Sequence, residues 1–180
     1  IIILGDNLWK HNIMDEIFLL DHDIREFTAN FNGHKIKYQD VCIRSSHTPS
    51  GCYDNGLQLF ENAMKWNENM MDVTYPYLKL DTGDSSPVKI FLGHILGGVE
   101  LDSDGHVSKV SAMQLNYFLN ANATAGTRMW SEMFEDELLK RHSYVAIEVK
   151  VWTFFSIERE LSKNTQRILP YMIASGFVLT

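Results

Sequence analysis

Several short stretches carry side chains that could do chemistry, and spacing decides what each can do. Leu80-Asp81-Thr82-Gly83 has the D-T-G order of sites where two carboxylates share a proton and activate water. That chemistry needs a second such aspartate, and no second copy occurs, so Asp81 to Asp84 reads as a solvated turn. Asp102-Ser103-Asp104-Gly105 opens like a calcium loop, but its glycine comes too early and Met113 stands where a bidentate glutamate is required. It reads as a hairpin turn. Asp21-His22-Asp23 places three metal-capable groups in a row. Neighbours on a helix point about 100 degrees apart and cannot close on one ion, so this triplet is expected on a solvent-facing helix side. The histidines (His11, His22, His34, His47, His94, His106 and His142) show neither H-x3-H nor H-E-x2-H spacing. Gly93, Gly97 and Gly98 lie among strands and lack the strand-turn-helix setting of a phosphate loop. No catalytic residue, metal ligand or cofactor site is assigned.

Cys42 and Cys52 bracket a stretch rich in Ser, Pro and Gly. Three readings stand: a disulfide closing a short loop, a pair of reduced thiols, or half of a zinc site completed by His47 or His34. Zinc sites favour shorter cysteine spacings, so the pattern favours the disulfide, which belongs outside the cytosol. Asn122-Ala123-Thr124 is a glycosylation sequon in an expected loop, with Asn122 as the acceptor.

The elements that would carry these residues follow from periodicity. Ile1 to Gly5 is a short apolar run of the buried-strand type. Asp6 or Asn7 is expected to cap a helix from Asn12 to Phe31, with Ile13, Ile17, Leu20, Ile24, Phe27 and Phe31 on one stripe. Asn32-Gly33 is read as its stop signal. His34 to Asp40 is read as extended and Asn55 to Trp66 as a short helix. Strands are expected at Tyr75 to Leu80, Val88 to Gly93, Val107 to Leu119 and Tyr144 to Trp152. Helices are expected from Arg128 to Arg141 and from near Ser156 onward. This order predicts an α+β fold of the ferredoxin-like βαββαβ kind with an insertion after the first helix. The last stretch, Ile168 to Thr180, has no charged side chain and is shorter than the about 20 apolar residues that cross a bilayer. It reads either as the first half of a transmembrane helix or as a buried terminal helix or strand.

The bulk composition agrees with one folded domain: 180 residues, 45% hydrophobic and 22% charged. A net charge of −7 with no basic stripe excludes a nucleic-acid surface. The sequence opens on Ile1 without a methionine and is read as a piece of a longer chain, with no signal peptide within it.

The order of motifs resembles the first extracellular domain of Patched-related membrane proteins. The residues that carry the likeness begin with an apolar strand, a long helix and Tyr38-Gln39-Asp40-Val41-Cys42 with a second cysteine a loop later. Val110 to Leu119 (VSAMQLNYFL) is similar to that family's long strand. Met129-Trp130-Ser131-Glu132-Met133-Phe134-Glu135 is similar to its W-E-x-x-F helix opening, with Ser131 shifting the Trp-to-Glu spacing. Ile168-Leu169-Pro170-Tyr171 is similar to the start of its sterol-sensing membrane domain. The resemblance implies membership of the resistance-nodulation-division superfamily and a place between the first and second membrane helices. It implies a Cys42–Cys52 disulfide, an extracellular or luminal domain over residues 1–155, and a linker helix entering the membrane over residues 156–180. The whole protein would sit in the plasma membrane or endosomal vesicles. Implied partners are a sterol or other lipid and the second ectodomain and membrane helices of the same chain. The ion-coupling acidic residues would lie in membrane helices outside this sequence, and no ligand-binding residue is assigned. The competing reading is an extracellular receptor module without transport.

Overall fold

The computed structural model describes residues 1–46, 51–53, 55–57, 60, 73–80, 88–120, 124–140 and 144–178. These form an α+β fold built on a four-stranded sheet of β1 (Ile2–Leu4), β6 (Leu96–Leu101), β7 (Val107–Gln114) and β8 (Glu148–Lys150), in the order β6-β7-β1-β8. Every pairing in it is antiparallel. Leu96 pairs with Met113, Met113 with Ile3, and Ile3 with Val149, so one apolar row crosses all four strands on one face. Leu96, Met113 and Ile3 in that row are buried, and Val149 packs against the core. The strand expected over Val107 to Leu119 lies inside the sheet, between β6 and β1, but it ends at Gln114 rather than Leu119.

Helix α1 (His11–Glu26) buries Ile13, Met14, Ile17, Leu20 and Ile24, the face expected from a 3.6-residue period. Its ends differ from expectation. Lys10 occupies the N-cap without a side-chain bond. Asn7 instead accepts from the backbone N–H of Trp9 at 3.0 Å and of Val110 at 3.4 Å, fastening the entry turn to β7. The helix stops at Glu26 because Thr28–Phe31 (β2) pairs with His34–Lys37 (β3) in a hairpin. Asn32 and Gly33 turn it with φ of 50° and 79°, the doubly left-handed turn that Asn-Gly supports best. The same dipeptide that reads as a helix stop is therefore a hairpin turn. Tyr38–Val41 (α2), expected to be extended, is a single helical turn in which the Lys37 backbone N–H donates to the Asp40 carboxylate at 2.8 Å.

The stretch between α1 and β6 thus holds that hairpin, α2, the cysteine pair and a second hairpin of β4 (Tyr77–Leu80) and β5 (Val88–Phe91). The β4–β5 pair, expected as two strands, forms its own two-stranded sheet. The main sheet uses β6 instead, whose two glycines look like a break. Gly98 has φ +60°, and a Cβ there would stand 2.9 Å from the Ser111 Cβ, so this strand requires glycine to lie against β7. Of the helix expected over Asn55 to Trp66, Leu57 and Phe60 are helical and buried, and most of the remainder lies outside the described residues.

Helix α3 (Thr124–Lys140) begins four residues earlier than expected and delivers Trp130 and Phe134 to an aromatic cluster. Trp130 stacks on Phe134 at 5.0 Å and meets Phe27 and Tyr38 at 5.8 Å each. The strand expected over Tyr144 to Trp152 shrinks to Glu148–Lys150, since β1 is only three residues long and can pair no further. Val145, which falls within that expected strand, is 98% exposed. Helix α4 (Phe154–Val178) follows and contains Pro170. No helix among the described residues is long and apolar enough to cross a membrane.

Candidate functional site

Cys42 and Cys52 are joined by a disulfide with Cα atoms 5.7 Å apart, and both are buried. Such bonds persist in oxidising compartments, which marks an extracellular or secretory-type domain. The bond also organises a strip of backbone. Arg44 bridges to Cys52, and Cys42 bridges to Leu119. The Ile43 N–H donates to the Phe118 carbonyl at 2.9 Å and the Asn120 N–H to the Val41 carbonyl at 2.8 Å. The cysteine loop therefore pins the segment that leaves β7. Residues expected to continue that strand are held by the loop instead.

Behind this strip lies a polar cluster. The Asp21 carboxylate accepts from Arg25 Nε at 2.7 Å, Asn55 Nδ2 at 2.7 Å and the Tyr117 hydroxyl at 2.5 Å. Asn55 is buried and its Oδ1 accepts from the Leu57 N–H at 3.1 Å, so its amide is used at both ends. Asp23 accepts from the Tyr144 hydroxyl at 3.3 Å. The expectation that Asp21-His22-Asp23 faces solvent fails for both aspartates, which turn toward the body while His22 is exposed. Burial opposes the Arg25 charge, but the hydrogen bond and charge of Asp21 outweigh it and raise the guanidinium pKa. Burial, followed by the Asp21 charge, pushes the Tyr117 phenol well above its ordinary value.

A phenol held protonated in the folded state stabilises the fold below its unfolded pKa of about 10, and that stabilisation is lost as pH rises through the folded value. Above about pH 10 the unfolded chain therefore gives up this proton first. Stability should fall there by up to about 1.4 kcal/mol per pH unit from this one group. Urea unfolding of Tyr117→Phe between pH 9 and 11.5 should show a shallower alkaline decline than the parent. Parallel declines would remove Tyr117 from this role.

On the other side of Tyr117 and Trp130 is an apolar pocket of about 330 Å³ between the 117–119 segment, α3 and the start of α4. Its walls include Tyr117, Trp130, Ser131, Phe134 and Val151, and Ile43, Phe118 and Trp152 stand exposed at its rim. The α4 wall is fixed by Glu135, which is buried and accepts from Ser156 Oγ at 2.6 Å and Arg159 at 2.5 Å. A larger groove of about 610 Å³ lies along Asp23, Glu26, Asp136 and Glu137. Its carboxylates are engaged where they are described, Glu26 with Lys37 at 2.6 Å and Asp23 with Tyr144. It reads as a solvated acidic face.

The other sequence candidates separate cleanly. Asp102 caps its own turn, accepting from the N–H groups of Asp104 at 3.0 Å and His106 at 2.8 Å, and the His106 bond first among several lowers its pKa. Asp81-Thr82-Gly83, His47 and the sequon residue Asn122 lie outside the described residues. Among the described residues no three metal-capable side chains converge. The sequence offered no signal for Asn55, Glu135 or Ser131 as members of a cluster. The Asp21–Arg25 pair alone carries a local signal, a spacing of four on one helix. No protein-family model matches the chain.

Proposed function

We propose that this chain is an ectodomain of a Patched-type polytopic membrane protein that moves or senses a sterol or other lipid, and that it acts without a catalytic site. The observation that carries this reading is the antiparallel strand order β6-β7-β1-β8. Numbering these four strands along the chain gives 4-1-3-2, with α1 and α3 as the crossover helices, which is the order of a ferredoxin-like split βαβ domain. The hairpins, α2 and the cysteine loop then form the insertion after the first helix. The disulfide and the long α4, exposed along residues 160–171, fit a linker helix on the non-cytosolic side of a membrane. In this reading the second ectodomain and the membrane helices of the same protein are its neighbours, and residues 156–180 lead into the membrane. A receptor module that binds a secreted ligand without transport would use the same domain.

The parent transcript on both sides of this sequence separates the possibilities. The expected result is a membrane helix before Ile1, an apolar continuation past Thr180 and further helices carrying buried acidic residues. A single flanking anchor without such acidic residues would favour the receptor. A stop codon just after Thr180 with a soluble upstream region would sink both.

A further inference from the structure

Strand β8 ends the main sheet on one side: β1 pairs with one flank, and no strand among the described residues pairs with the other. A bare edge offers backbone donors and acceptors to another chain, and proteins usually guard such edges with charge. Glu148 and Lys150 lie on the exposed face of β8, with side chains 65% and 59% exposed. They are of opposite sign and two residues apart, so they repel some partners and suit others. Within one copy they form only a solvated pair at 3.3 Å, of a kind that contributes little to stability. Apolar surface flanks the strand at both ends, with Val145 98% exposed and Trp152 68% exposed.

We propose that β8 is an interface for a second copy of this chain, pairing antiparallel with its own counterpart about a two-fold axis at Val149. The sequence of the strand is complementary to itself in this register. Glu148 stands opposite Lys150 of the other copy, and Lys150 opposite Glu148, at the about 4.5–5.5 Å Cβ spacing where opposite charges attract. On the other face Ile147 meets Val151 and Val149 meets Val149, apolar on apolar. Ile147 is buried and Val149 and Val151 pack against the core, so the apolar layer of one sheet continues into the next. The antiparallel run also brings the Val145 end of each copy beside Trp152 of the other. Moving the axis by one residue would set Glu148 against Glu148 or Lys150 against Lys150. An axis between residues would lay the charged face of one strand on the apolar face of the other. The charges therefore select one register, and the contact is the same patch on both copies, as a two-fold dimer requires. The interface lies on the sheet itself and is independent of any transport role.

The test is analytical sedimentation of the whole chain over a range of concentrations at about 0.15 M salt. A reversible monomer–dimer equilibrium with a Kd of about 1 mM or tighter is expected. Glu148→Lys and Lys150→Glu should each weaken it about tenfold or more, since two attractive contacts become two repulsive ones. Both side chains are exposed, so neither substitution threatens the fold. An equimolar mixture of the two variants should dimerise again, because every charged contact across the axis then joins opposite signs. General repulsion predicts otherwise: the substitutions move the net charge of −7 in opposite directions, so one would weaken association and the other strengthen it. Opposite effects of the two variants, or a mixture that stays monomeric, overturn the pairing. A parent chain still monomeric at about 1 mM, or a dimer that neither substitution weakens, overturns it as well.

Discussion

Trp130→Ala is expected to cost about 3–5 kcal/mol, the largest loss of any single truncation argued for this chain. Trp130 is 2% exposed and sits where three parts of the molecule meet. It stacks on Phe134 within α3, meets Phe27 at the end of α1 edge-on, and lies against Tyr38 of α2. Its indole N–H also donates to the Phe27 carbonyl at 3.4 Å. Truncation therefore opens a cavity shared by α1, α2 and α3, removes two edge-on or tilted ring contacts as well as one stacked pair, and leaves the Phe27 carbonyl without that donor. Helices cannot collapse into such a space independently, because Tyr38 is held from its other side by Tyr117 at 5.5 Å. For a chain of this length the loss corresponds to a fall in Tm of roughly 6–20 °C, read by circular dichroism. Trp130→Phe keeps the stack on Phe134 and should lose less than half as much. A Trp130→Ala protein within 1 kcal/mol of the parent would mean that the aromatic cluster does not join the helices.

How much of this was legible in the sequence follows from how local each determinant is. The buried face of α1 was readable because five apolar side chains recur at helical spacing within sixteen residues. Its end was not, since Phe27 and Phe31 continue the stripe in phase and only pairing with β3 pulls Thr28–Phe31 into a strand. β6 was hidden by Gly97 and Gly98, which local propensity scores as a break. A close neighbour, Ser111 on β7, is what makes glycine necessary there. Val145 misled in the opposite direction. Alternation from Tyr144 suggested a long strand, but the central partner β1 has only three residues to offer. The site divides in the same way. Two cysteines closing a polar loop announce themselves, whereas Asp21, Asn55 and Tyr117 meet across sequence separations of 34 and 96 residues that no window spans. Glu135 with Arg159 is likewise visible only once α3 and α4 are packed.

Removing the Cys42–Cys52 bond is expected to cost about 2–3 kcal/mol and to loosen one wall of the apolar pocket before anything else. The bond closes a short loop, with a sequence separation of 10, and a loop of that size accounts for about 3 kcal/mol through the lost freedom of the unfolded chain. Its position makes the effect local as well as global. Residues 41–44 run beside 118–120, with the Ile43 and Asn120 N–H groups as donors between them, and Ile43 and Phe118 form the pocket rim. Without the crosslink that pairing rests on a few backbone bonds at the molecular surface. The Cys42→Ala, Cys52→Ala double variant keeps both positions apolar, which suits their burial and isolates the covalent term. Urea unfolding of the variant and of the oxidised parent should differ by the stated amount. Hydrogen exchange adds the sharper criterion. Amides of Ile43 and Asn120 should open far more readily in the variant, while those of the buried turns of α1 should change only with global stability. Equal protection at Ile43 and Asn120 in the two proteins would show that the 117–120 segment is held without the crosslink, by its backbone bonds and the Tyr117–Asp21 bond. In that case the pocket wall would survive reduction of the bond.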